Sequence, residues 1–186
     1  MITKLDVAER QLNTAIRLFF ENRDHLSSYA LTAASREITD DLIEKQNGEV
    51  FKRELARLGD PTKVRLSFRD EFCNLIKPEH YKEALKLLRQ WQNFLKHADS
   101  DPDCQMDDLR PESLALNIMF ACWNFRLLTN RITEEMRKFA IWFYSAHPEY
   151  TKLSTDLFST AIAMCQQACP DDPYDTAFFE AIYSSL

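Results

Sequence analysis

Two glycines, Gly48 and Gly59, are all that this chain has for positions needing a left-handed backbone. Thirteen phenylalanines stand against them in 186 residues. A glycine-rich loop that cradles phosphate cannot be built from so few, which excludes P-loop and dinucleotide-binding readings and any nucleotide cofactor they would hold. A turn-rich β fold is equally disfavoured, because tight hairpins draw on glycine for positive φ. Apolar residues make up 45% and charged residues 28%, an ordinary globular composition. The length suits one domain able to bury about 70% of its unfolded surface.

The apolar spacing reads as a succession of helices. Thr3 and Asp6 form a capping box, after which Leu5, Ala8, Leu12, Ala15, Ile16 and Phe19 recur at helical intervals to about Glu21. A second helix is expected from about Asp24 to Gln46, with an alanine-rich middle that lets another helix approach closely. Asn47-Gly48 is its expected left-handed stop, and a short third helix from Glu49 is expected to end at Gly59. The stretch from Thr62 to Lys77 fits either period and is read as helix, since no partner strand is visible. Pro78 opens the next helix, which runs out near His97-Ala98. A loop from Asp99 to Pro111 follows. Ser113 to Thr129 is apolar on nearly every side, the mark of a buried central helix. Thr133 caps a helix through Ala146, and further helices follow His147-Pro148 and Pro173. The expected fold is all-α: a single-domain helical bundle over residues 1–186, with six to eight helices and an N-terminal αα-hairpin.

Charge is unevenly placed within the net of −6. Asp99 to Asp108 holds five aspartates and no base, and the terminal stretch from Asp171 holds four acids and no base. The remaining 160 residues carry 23 bases against 20 acids. Within them, Lys52 to Lys96 holds eleven bases against six acids, a mildly basic middle that could steer a polyanion such as RNA or serve only as a solvated face. The five cysteines lack zinc-ribbon spacing and are expected to be reduced thiols. Met1 to Asp6 has no basic-then-apolar leader, and no uncharged run approaches the roughly 20 residues needed to cross a bilayer. A cytoplasmic protein without membrane contact is the expectation.

Candidate chemistry centres on one stretch. His25, His80 and His147 sit at helix ends and read as capping or surface groups. His97 closes a polar-edged helix immediately before the acidic loop. Alternate Asp99, Asp101 and Asp103 suggest a calcium loop, but Cys104 and Arg110 occupy its sixth and twelfth positions in place of glycine and glutamate. No metal site is expected. Trp91, flanked by Gln90, Gln92 and Asn93, lies on a polar side of its helix. It is a candidate partner or dimer contact together with Gln92, with plain burial the alternative.

The stretch Gln92-Asn93-Phe94-Leu95-Lys96-His97-Ala98-Asp99 resembles the terminal motif of the HEPN superfamily, small helical domains found as RNA-cleaving toxins and defence proteins. That motif is an arginine, four to six residues, then a histidine near a helix end, often with a polar residue just after the arginine. Asn93 stands at the polar position and His97 at the histidine, while Gln92 stands where the arginine belongs. The order of elements over residues 4–130 is also similar, leaving 131–186 as a C-terminal helical extension. The strings NFLKHAD and ERQLNTAIRLFF further resemble a group of small bacterial proteins, a likeness that implies no activity.

The resemblance implies two functional alternatives. One is a metal-independent RNase in which His97 moves protons, Asn93 orients it, and Arg89 or Lys96, supplied across a homodimer, holds the phosphate. The other is a non-catalytic or degenerate binding and dimerisation module in a bacterial toxin–antitoxin or defence setting, with RNA or a protein as partner. Gln92 lacks the charge that steadies a phosphate transition state, which favours the second alternative and leaves catalysis open.

Overall fold

The computed structural model describes residues 1–21, 24–61, 64, 90–91, 93–95, 103, 109–147, 159–168 and 174. Among these the protein is all helical. Its elements are α1 (Lys4–Phe20), α2 (His25–Leu58), α3 (Pro111–Thr129), α4 (Glu134–Ala146) and α5 (Ser159–Ala168). Residues 90–91 and 93–95 are helical as well. Apart from Val64, the ambiguous stretch from Thr62 to Lys77 lies outside the described residues, as do the next helix from Pro78 to Arg89 and residues 175–186 of the expected terminal helix.

Local chemistry sets the helix starts. The Thr3 hydroxyl accepts from the Asp6 amide at 3.1 Å while the Asp6 carboxylate accepts from the Thr3 amide at 2.8 Å, completing the capping box. Asp24 accepts from the Ser27 amide at 2.9 Å and opens α2 at His25. Thr133 caps α4 through the Met136 amide. Pro111 occupies the first turn of α3, where its missing N–H costs nothing.

One expectation is corrected. The second helix does not stop at Asn47-Gly48; α2 is continuous for 34 residues and stops at Gly59, whose φ of 69° supplies the left-handed cap. No separate helix begins at Glu49. The reason is register: Val50 follows Ile43 by seven residues, so an unbroken helix returns it to the buried side, and both are buried. Asn130, at φ 57°, provides the other left-handed cap at the end of α3.

The hairpin of α1 and α2 is held at close range by serines. The Ser28 hydroxyl donates to the Ala15 carbonyl and the Ser35 hydroxyl to the Ala8 carbonyl, both at 2.8 Å and buried. A side chain donating directly to the neighbouring backbone requires that the helices nearly touch. Seven residues forward on α2 match seven residues back on α1, so the pair is antiparallel.

Against this hairpin lies α3, in which no residue from Leu114 to Thr129 is exposed. It runs parallel to α2, as successive links show. Arg36 Nη1 donates to Asn117 Oδ1 at 2.6 Å, and Asn124 Nδ2 donates to Asp40 Oδ1 at 2.6 Å. Further along, Arg53 Nη1 donates to the Leu128 carbonyl at 3.4 Å.

The other flank of α1 receives α4. The Thr133 hydroxyl donates to Asn13 Oδ1 at 2.7 Å, and Arg131 pairs with Glu9. Farther along, Phe19 and Phe20 meet Phe139 and Trp142, ring centroids 5.1–5.8 Å apart. Edge-to-face and tilted rings of this kind add to the area they bury.

Enlarging Ser35 should push α1 and α2 apart: Ser35→Leu is expected to cost about 1–3 kcal/mol by overpacking. Chemical unfolding measures this, and unchanged stability would contradict the close approach. The caps also make stability depend on pH. Hydrogen bonds from the Thr3 backbone, the Ser27 side chain and the Arg137 side chain hold the Asp6, Asp24 and Glu134 carboxyls below their ordinary range. Their contribution is fully present above the unfolded values near 4 and is lost as pH falls through the lower folded values. Tm should therefore decline below about pH 4, and decline less in Asp24→Asn.

Candidate functional site

The helical residues 90–91 and 93–95 meet the bundle through Trp91. Trp91 is half-buried and packs against the main core cluster. Its indole meets the half-buried Phe94 ring edge-on at 5.8 Å. Gln90, Asn93 and Leu95 are exposed, Leu95 to 39%. Two aromatics three residues apart share a helix face, which is why they can hold the piece while the amides face water.

Of the residues singled out in the sequence, Trp91 and Asn93 therefore share one helical piece, with Trp91 turned toward the core and Asn93 toward solvent. Arg89, Gln92, Lys96 and His97 lie outside the described residues. So do Asp99 and Asp101, while Asp103 is exposed in a turn. Among the described residues no three His, Cys, Asp or Glu side chains gather as metal ligands.

His25 and His147 stand at helix ends. His25 opens α2 beside Phe19, ring centroids 6.3 Å apart. His147 caps α4: its amide donates to the Phe143 carbonyl at 2.9 Å, and its ring lies 4.8 Å from that of Phe143. Its Nε2 shares a 2.8 Å hydrogen bond with the Tyr174 hydroxyl. Tyr174 in turn packs edge-on against Trp142 at 5.4 Å. This set fastens residue 174 to the end of α4. His80 lies outside the described residues.

A buried polar layer between α2 and α3 escaped the sequence reading. Arg36, Asn117 and Asn124 are all buried. Asn117 accepts from Arg36 and donates to the Ser113 carbonyl at 2.8 Å, using both ends of its amide. The available signal was two asparagines seven residues apart in an apolar helix, matched by a base and an acid four apart on α2. Such satisfied groups fix which residues face one another across the interface.

No family model, curated protein or solved structure matches the chain. No helix among the described residues is long and apolar enough to cross a membrane.

The thiols differ in reactivity. Burial drives the Cys122 pKa far above its ordinary value, and burial also raises that of Cys165, which a hydrogen bond with Ser145 partly offsets. The thiolate is the reactive species. Native protein treated with iodoacetamide near pH 8 should leave Cys122 unmodified while denatured protein is alkylated there. Peptide mass mapping reads the outcome, and rapid native labelling of Cys122 would contradict its burial in the core.

Proposed function

We propose that the protein is a HEPN-like helical binding and dimerisation module, whose contact surface is the outer face of the helix around residues 90–95. The observation that carries this reading is the split character of that piece. Trp91 anchors it inward with Phe94 against its indole, while Gln90, Asn93 and Leu95 stand in solvent. An exposed leucine beside two neutral amides makes a patch suited to another protein or a second copy, because burying those three side chains strips water from no charge. Gln92, in the place of the family's arginine, agrees with a module that has kept the scaffold and not the phosphate clamp.

A second reading draws on the exposure of Asn93. By sequence spacing, an uninterrupted helix sets Arg89, Lys96 and His97 within about 60° of Asn93. His97 would then act as general acid/base on an RNA 2′-hydroxyl, and a cation from a partner would face the phosphate. The mildly basic middle of the chain suits that substrate, and the bacterial toxin–antitoxin or defence setting suits both readings.

Native mass measurement should find a dimer at micromolar concentration, converted to monomer by Leu95→Glu. A wild-type protein that stays monomeric, or a dimer indifferent to that charge, removes the dimerisation reading. Incubation with mixed RNA in EDTA tests the rest. Cleavage by the wild type that disappears in His97→Ala would replace the binding module with the nuclease. Equal inertness of both proteins would leave the nuclease reading without support.

A further inference from the structure

Past its midpoint, α2 has a stretch with no buried residue. Residues 44–49 are all exposed, six in succession on a helix buried on one side at both ends. Ahead of them the buried positions are Ser28, Tyr29, Thr32, Ala33, Ser35, Arg36, Thr39 and Ile43; beyond them are Val50 and Glu54. At the intervening inward positions, three and four residues after Ile43, stand Gln46 and Asn47, both in water.

The neighbouring helices explain this gap. Carried on, the Ser28–Ala15 and Ser35–Ala8 register sets Lys4, the first residue of α1, opposite Thr39. The Asp40–Asn124 link sets Thr129, the last residue of α3, near Lys45. Both of these supports end there, while Val50 and Glu54 farther along are buried again.

Sequence makes the same place soft. Gly48 costs an interior helix about 1 kcal/mol relative to alanine, and asparagine at 47 is also a poor helix former. Neither residue gains burial in exchange. Asn-Gly is also a left-handed stop of the type that Gly59 supplies eleven residues later.

Among the described residues, a long hydrogen bond links the distal half to α3, Arg53 Nη1 to the Leu128 carbonyl at 3.4 Å. The same guanidinium keeps its Nε and Nη2 buried with no hydrogen-bond partner. Straight α2 therefore withholds water from two donors, a cost that rotation of the distal half would relieve.

We propose that α2 is a two-state helix hinged at Asn47-Gly48: a continuous form tied by Arg53 to the end of α3, and a broken form in which Gly48 takes the left-handed stop. In the broken form residues 49–58 remain helical and swing relative to the α1–α2–α3 body. The hinge concerns scaffold motion alone and stands independently of the binding or nuclease readings.

Hydrogen exchange of the full-length protein, resolved to single amides by NMR, tests it. Amides 48–52, whose helical acceptors lie across the neck, should exchange at least tenfold faster than amides 30–40, and faster than amides 54–57. Gly48→Ala places its Cβ in open space, with nothing within 4 Å, so the variant should fold normally. It should slow exchange at 48–52 about fivefold, the equivalent of the glycine-to-alanine propensity difference, and leave 30–40 unchanged. Exchange that rises steadily toward Leu58 would mean fraying from the helix end and overturn the hinge. Protection at 48–52 equal to that at 30–40, or a Gly48→Ala variant with wild-type exchange there, would overturn it as well.

Discussion

Where α1 and α2 face each other, Ser28 and Ser35 present side chains of one carbon and one oxygen, and each oxygen finds a backbone carbonyl on the opposite helix. Larger residues would hold the axes farther apart, and alanine would leave those carbonyls without the added donor. Because α3 and α4 rest on the surfaces this pair creates, the spacing passes outward. The polar layer of Arg36, Asp40, Asn117 and Asn124 meets only if α3 settles at one height on α2. The rings of Phe19 and Phe20 meet Phe139 and Trp142 only if α1 presents its C-terminal end at the level of α4. Burial supplies most of the stabilisation, while these directional contacts choose among the ways the same apolar faces could pack.

Much of this could be read from the residues themselves. Thr3 with Asp6, Thr133 before an acidic first turn, and the apolar run from Ser113 are local signals whose physics is local, so they survive folding unchanged. The alanine-rich middle of the second helix correctly implied close approach, though serines rather than alanines make the backbone contacts. The stop at Asn47-Gly48 went the other way. A turn signal of about 1 kcal/mol competes with helix propagation on both sides and with the burial of Val50, and the winner depends on contacts that no local window contains. The partnership of Arg36 with Asn117, 81 residues apart, is likewise a tertiary fact. Asparagine within an apolar helix says only that a partner must exist.

For the candidate surface, the sequence left Trp91 between a partner contact and plain burial; it packs on the core, half-buried, while Asn93 stands in solvent. Polar neighbours in sequence were a poor guide to Trp91. Gln90 and Gln92 adjoin it along the chain, yet adjacent helix positions point about 100° apart, so their polarity says little about where the indole goes. What the surface meets depends on chemistry beyond a single chain, and composition constrains it only to partners tolerant of neutral amides and an exposed leucine.

The parallel course of α2 and α3 has a consequence for how the molecule assembles. Two neighbouring helices pointing the same way cannot be joined by a short turn; the chain leaves α2 at one end of the bundle and must enter α3 at the other. Between Leu58 and Pro111 it also contributes the helical piece that Trp91 fastens to the core. The serine-matched hairpin can therefore form early from residues close in sequence, whereas the central apolar helix docks only after a long excursion has closed, at an entropic cost that grows slowly with its length. Until that docking, the hairpin's greasy inner side has no cover within its own chain, and a nascent copy would be at its most adhesive in that interval.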